Sequence, residues 1–176
     1  YPGGFKPVHK GHWAAAQSLA AKPYITQVKV LIGHGVRDGI TAEQSKAIWD
    51  VYLKTQPNPK ISVEIAKNNS PIKDIYQWFA EDLTRKGYVA AAGKEASDLK
   101  YFESLKNAFG DRIQEEIIDD QFVDNDGERV SGSDFRATIN ELRQRYLEVK
   151  NNPGDTKALN DYNTTYLYFK SLFPEA

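Results

Sequence analysis

The sequence predicts an α/β domain built on a largely parallel sheet, and three observations carry that prediction. Short apolar, β-branched runs alternate with amphipathic helical patterns along most of the chain, the order produced when helices connect successive parallel strands. A composition of 40% hydrophobic and 27% charged residues is ordinary for a globular chain and sets aside disordered, collagen-like and disulfide-framework classes. A length of 176 residues suits one domain with its own core, or one domain with an appendage.

The elements follow in order. After a Gly/Pro loop at 2–12, Trp13 to Ala21 reads as a short alanine-rich helix, and Ile25 to Ile32 reads as a strand ending at Gly33. A polar loop, His34 to Ile40, leads to Thr41, which can cap a helix while Gln44 reaches back three residues later. Ile48, Val51 and Tyr52 are expected to form that helix's apolar face. Lys60 to Ala66 alternates with period two after Pro57-Asn58-Pro59 and reads as a strand. Ser70-Pro71 is a favoured helix start, with Ile72, Ile75, Tyr76, Phe79 and Leu83 at helical spacing up to Gly87. Tyr88 to Ala92 is a short apolar run expected of a buried central strand. A helix at about 97–109 and a strand from Arg112 to Ile118 come next.

Asp124-Asn125-Asp126-Gly127 reads as a hairpin turn. It lacks the distal glutamate at fixed spacing that a calcium loop needs. A long amphipathic helix is expected from Ser133 to about Lys150, broken by Asn151 to Asp155, and an aromatic-rich helix from Thr156 to Phe173 ends the chain. Residues 1–150 are expected to form the main domain and 151–176 a helical C-terminal extension packed on it.

Composition also narrows function. The chain contains no cysteine, which removes thiol nucleophiles, thiolate zinc and iron–sulfur ligation. A net charge of −1 argues against a surface built for nucleic acid or anionic membrane and leaves small anionic ligands open. No apolar stretch approaches 18 residues and no basic-then-apolar leader is visible, so a soluble, cytoplasmic protein is expected. There is no methionine, and the expectation is that most of a first strand precedes Tyr1. A homo-oligomer is left open.

The most informative stretch is Gly3-Gly4-Phe5-Lys6-Pro7-Val8-His9-Lys10-Gly11-His12. Glycines let backbone approach a ligand closely, and a turn running into a helix leaves N–H groups without partners, which suits phosphate. His9 and His12, with Lys6 and Lys10 around them, add side-chain donors that can follow shifting charge. The pattern Gly-x-Phe-x-Pro-x-His-x-Gly-His, matched at Gly4, Phe5, Pro7, His9, Gly11 and His12, resembles the hallmark of the nucleotidyltransferase superfamily. That superfamily includes nicotinamide-mononucleotide and phosphopantetheine adenylyltransferases and cytidylyltransferases. A second stretch, Val130-Ser131-Gly132-Ser133-Asp134-Phe135-Arg136, resembles the family's later Ile-Ser-Ser-Thr-x-Ile-Arg turn, with Gly132 and Phe135 departing from it.

The resemblance implies a Rossmann-like, doubly wound parallel sheet of five strands in the order 3-2-1-4-5. It implies transfer of a nucleotidyl group from a nucleoside triphosphate to a phosphate-bearing small molecule, with pyrophosphate leaving and Mg²⁺ held mainly by the nucleotide phosphates. His9 and His12 are then the catalytic residues. Gly4, Phe5, Lys6, Gly11, Ser131, Ser133, Arg136 and Gly93 are the nucleotide-binding ones. ATP is favoured over CTP because the front loop is similar to that of archaeal-type adenylyltransferases.

Plainer readings stand beside these. His9, His12 and His34 could make a zinc site, and Lys6 and Lys10 could be solvated surface. Ser131 and Ser133 could simply cap a helix, and Arg136 could pair with Glu128 or Asp134. A non-catalytic nucleotide-binding or assembly protein retaining the fold is the alternative function. A class I aminoacyl-tRNA synthetase fragment is set aside because the chain is short and lacks a Lys-Met-Ser-Lys-Ser-like loop.

Overall fold

The computed structural model describes residues 1–91 and 96–173. It is a mixed α/β structure whose elements run β1 (Pro2–Gly3), α1 (Lys10–Ala20), β2 (Val28–Ile32), α2 (Ala42–Thr55), β3 (Ile61–Ile65), α3 (Pro71–Glu81) and β4 (Gly87–Ala91). They continue as α4 (Ala96–Phe109), β5 (Ile113–Ile117), β6 (Phe122–Val123), β7 (Arg129–Val130), α5 (Gly132–Asn151) and α6 (Thr156–Ser171).

Local chemistry explains most boundaries. Thr41 Oγ1 accepts from the Gln44 N–H at 3.2 Å while Gln44 Oε1 accepts from the Thr41 N–H at 2.9 Å, closing the reciprocal cap at the start of α2. Ser70 caps α3 with Pro71 at its first position. Two sequence expectations shift here. The buried face of α2 is Ser45, Trp49 and Tyr52, and Val51 is exposed. Helix α3 ends at Glu81, because Asp82 turns extended (φ −144°) and its side chain caps the Thr84 N–H, so Leu83 points into solvent.

β1, β2 and β3 pair in parallel in that order, β4 pairs with β5 in parallel, and β6 with β7 form an antiparallel hairpin. The hairpin turn at 124–127 is held by the Asp124 carboxylate, which accepts from the Asp126 and Glu128 N–H groups at 2.9 Å each. The unbroken five-stranded sheet expected from the resemblance is not present among the described residues, since no ladder joins β1 to β4. β1 is only two residues long, and Pro2 brings no N–H to a ladder. A cavity of about 380 Å³ is lined by residues of β2, α3 and β4, among them Leu31, Ile75, Phe79, Val89 and Ala90.

β2 is covered on both faces, as parallel strands usually are. Val28, Val30 and Ile32 face a core shared with Trp13, Trp49 and Tyr52, while Leu31 faces Ile75, Phe79, Val89, Leu105 and Ile113. A third cluster of Phe122, Val130, Phe135 and Leu172 fastens the hairpin and the end of α6 to the start of α5. At the carboxyl ends of the strands gather the front loop, the loop 33–40 and the segment 119–121. That is where ligands bind in open α/β sheets.

Candidate phosphate site

Helix α1 begins at Lys10, three residues earlier than the alanine pattern predicts, because the two histidines cap it. The Gly11 N–H donates to His9 Nδ1 and the His9 N–H donates to His12 Nδ1, both at 3.1 Å. Each ring thus accepts at Nδ1, so each neutral imidazole carries its proton on Nε2 and presents that N–H away from the backbone. The rings stack 3.7 Å apart between centroids. Phe5, at φ 52°, holds its ring edge-on to His12 with centroids 5.0 Å apart and packs against Trp49 on its other side. It is a wall behind the histidines and is buried.

Burial is the main cause that keeps both rings neutral. It draws the His9 pKa from 6.5 to about 4, slightly opposed by a backbone hydrogen bond. His12 is held well below its ordinary value by burial and then by His9. Above pH 6.5 His9 is neutral whether the chain is folded or not. Between pH 6.5 and 4 the unfolded chain takes up a proton that the folded ring refuses, so stability falls on acidification. A displacement from 6.5 to about 4 corresponds to at most ~3 kcal/mol. Asp120, whose carboxyl is pushed up by burial, acts in the opposite sense, so the comparison needs a variant. His9→Asn keeps a good N-cap and removes the titration. Urea unfolding from pH 7 to 4 should show the wild type losing up to ~3 kcal/mol more stability than His9→Asn; parallel profiles would refute the buried neutral ring.

Gly11 is glycine for a packing reason. A Cβ there would sit 2.2 Å from the Asp120 carbonyl oxygen and 2.7 Å from the Gln121 carbonyl. This close approach brings Asp120 Oδ2 to 3.9 Å from His12 Nε2, while the same oxygen accepts from the Tyr1 hydroxyl at 3.2 Å. Gly4 is exposed, and a Cβ there would meet nothing within 4 Å.

The second motif opens α5. Ser131 is the N-cap: its Oγ accepts from the Asp134 N–H at 3.2 Å and donates to Asp134 Oδ2 at 2.8 Å. The N–H groups of Gly132 and Ser133 lie in the first turn, where a helix offers no acceptor. Arg136 folds back along the helix. Its Nη2 donates to Ser133 Oγ at 3.1 Å and its Nη1 to the Lys6 carbonyl at 2.9 Å, while its Nε pairs with Asp38 Oδ2 at 3.2 Å. Neither Glu128 nor Asp134 is its partner. Gly132 has a role here, since a Cβ on it would lie 3.1 Å from Arg136 Nη1. One position before Arg136, Phe135 is fully buried and stacks on His9 with centroids 5.3 Å apart. Two stretches about 120 residues apart in sequence therefore meet, each at the N-terminus of a helix.

No known family model, curated protein or solved structure matches this chain.

Lys6 turns inward: it is buried and donates to the carbonyls of Gly4 at 2.5 Å and Gly33 at 3.1 Å. Burial lowers its pKa, Arg37 adds to that, and Glu43 opposes it. It braces the loop and is neither solvated surface nor directed outward. Lys10 reaches the Ser171 carbonyl at 3.2 Å. His34 Nε2 bonds the Ala66 carbonyl, which leaves it engaged at the end of β3. Among the described residues no three His, Cys, Asp or Glu side chains converge as a metal site, so the zinc reading finds no support there. Gly93 lies outside the described residues. No described helix is long and apolar enough to cross a membrane.

Sequence reasoning missed Asp120 as a neighbour of His12 and Asp38 as a partner of Arg136. The signal for Asp120 was its place just past a strand's carboxyl end. For Asp38 it was the Asp-Gly dipeptide, a strong mark of a tight turn.

Proposed function

We propose that the chain is a nucleotidyltransferase that moves the nucleotidyl group of a nucleoside triphosphate onto a phosphate-bearing small molecule and releases pyrophosphate. The observation that carries the reading is the meeting of the two phosphate-type turns: His9 stacked on Phe135 and Arg136 bonded to the Lys6 carbonyl. Strand pairing in the orders 3-2-1 and 4-5 is what a Rossmann-like sheet of order 3-2-1-4-5 contains, and supports the same reading.

In this mechanism an acceptor phosphate oxygen attacks the α-phosphorus in line. The new P–O bond forms as the α–β bridging bond breaks, and its electron pair leaves with pyrophosphate. The Nε2–H groups of His9 and His12 donate to the α-phosphoryl oxygens as negative charge gathers there. Because these donors are neutral and held by backbone bonds at Nδ1, they need little reorganisation at the moment of reaction. The first-turn N–H groups of α5, Ser133 and Arg136 hold the β and γ phosphates. No protein nucleophile is required. Mg²⁺ would enter as part of the nucleotide substrate, held mainly by its phosphates.

Adenylyl transfer is preferred to cytidylyl transfer on the form of the front loop. Incubating the protein with each nucleoside triphosphate and a panel of phosphorylated acceptors should release pyrophosphate for one pair, with ATP the favoured donor. Demonstrable nucleotide binding without release for any pair would favour a non-catalytic nucleotide-binding protein instead.

A further inference from the structure

We infer that Asp38 is a positioning residue that fixes the guanidinium of Arg136 for the phosphates of the nucleotide, an inference that rests on the phosphate-site reading above. Asp38 and Gly39 both have positive φ, 50° and 78°. Arg37 and Ile40 exchange backbone bonds across them, at 3.2 and 2.9 Å. Positive φ at both central positions with this closure is the form of a type I′ turn. Gly39 suits it without strain, and aspartate is among the few side chains that tolerate it.

Turns of this kind usually connect two strands of a hairpin. Here the flanking segments form only an isolated bridge, and the turn is tied to α5 instead. Asp38 Oδ2 pairs with Arg136 Nε at 3.2 Å, and the Asp38 carbonyl accepts from Arg143 Nη1 at 3.2 Å. The cost of left-handed backbone at Asp38 thus goes with a carboxylate aimed at one specific nitrogen.

A guanidinium has five N–H groups in a rigid plane. The Lys6 carbonyl and Ser133 Oγ take one N–H each from Nη1 and Nη2, and the Asp38 carboxylate forms its ion pair at Nε. One N–H remains on each Nη, on a group fixed from three directions and largely shielded from solvent. A long arginine side chain loses substantial rotamer freedom on binding. An arginine already ordered by Asp38 does not lose it again, which favours phosphate affinity. The carboxylate sits on the Nε edge, away from the two remaining donors, so it orients the group without occupying those donors.

Inorganic tripolyphosphate is the probe, titrated calorimetrically into the full chain. Asp38→Gly preserves the positive-φ turn and deletes the carboxylate, and it is expected to weaken tripolyphosphate binding about tenfold. Asp38→Asn keeps an acceptor and should fall between Asp38→Gly and the wild type. Arg143→Ala removes the other tether of the turn without touching the guanidinium of Arg136, and should leave affinity within about twofold. The Arg136 Nε–H resonance should shift in Asp38→Gly, where the carboxylate paired with Nε is gone, and keep its position in Arg143→Ala. Equal or tighter binding by Asp38→Gly, or an equal loss in Arg143→Ala, would overturn the assignment while leaving the phosphate site standing. A wild-type chain that binds no tripolyphosphate would overturn the site reading, and this inference with it.

Discussion

Replacing His12 with glutamine is expected to lower turnover by about 10²–10³-fold while changing nucleotide affinity less than about tenfold. Glutamine is chosen because His12 has two jobs that must be separated. Its Nδ1 accepts from the His9 N–H and helps to start α1; glutamine three residues after a cap performs that job in many helices. In the proposed mechanism its Nε2–H is the donor offered to the reacting phosphoryl group, and that donor is lost from its place. An effect confined to turnover follows from a donor whose bond strengthens as charge develops, whereas uniform binding would appear in KM. Steady-state kinetics with the best donor and acceptor pair, together with a thermal melt showing an intact fold, make the comparison. A variant with undiminished turnover would remove His12 from the chemistry.

Gly11→Ala is expected to destabilise the fold by about 3 kcal/mol or more, at the upper end of overpacking costs. The reason is that the added Cβ would lie 2.2 Å from the Asp120 oxygen and 2.7 Å from two Gln121 backbone atoms. Backbone cannot swing aside as a flexible side chain does, so the segment 119–121 must lift away from α1. For a chain of this size that loss lowers Tm by roughly 10 °C. Gly4→Ala is the contrast: with open space around the new methyl, stability should change by no more than about 0.5 kcal/mol. Thermal unfolding of the two variants side by side tests this, and equal melting temperatures would contradict the packing at Gly11. Gly11 therefore links fold and site, since lifting 119–121 also withdraws Asp120 from His12.

Much of this was legible in the sequence because the signals were local. Caps such as Thr41 with Gln44 and Ser70 with Pro71 set helix starts from a few residues each, and period-two alternation marked β3. The site was legible where one segment carries it, as in the residues from Gly3 to His12. What could not be read were partnerships set by tertiary approach. Asp120 meets His12 only because Gly11 lets a distant carbonyl in. Arg136 meets Asp38 rather than its sequence neighbour Asp134 because Ser131 has already engaged that carboxylate. Lys6 looked like a phosphate ligand or a surface lysine because composition cannot show that two carbonyls face it from Gly4 and Gly33. The division of the sheet was likewise hidden: strand patterns report which segments are extended, and pairing across β1 and β4 depends on a strand of two residues.

The proposed function requires the front loop and the start of α5 to form one site for a nucleoside triphosphate. Titrating ¹⁵N-labelled protein with a non-hydrolysable ATP analogue and Mg²⁺ tests it most directly. The His9 and His12 Nε2–H signals and the backbone amides of Gly132 and Ser133 should shift together, along curves that share one Kd. Shifts confined to one of the two groups, or two groups titrating with different constants, would contradict it.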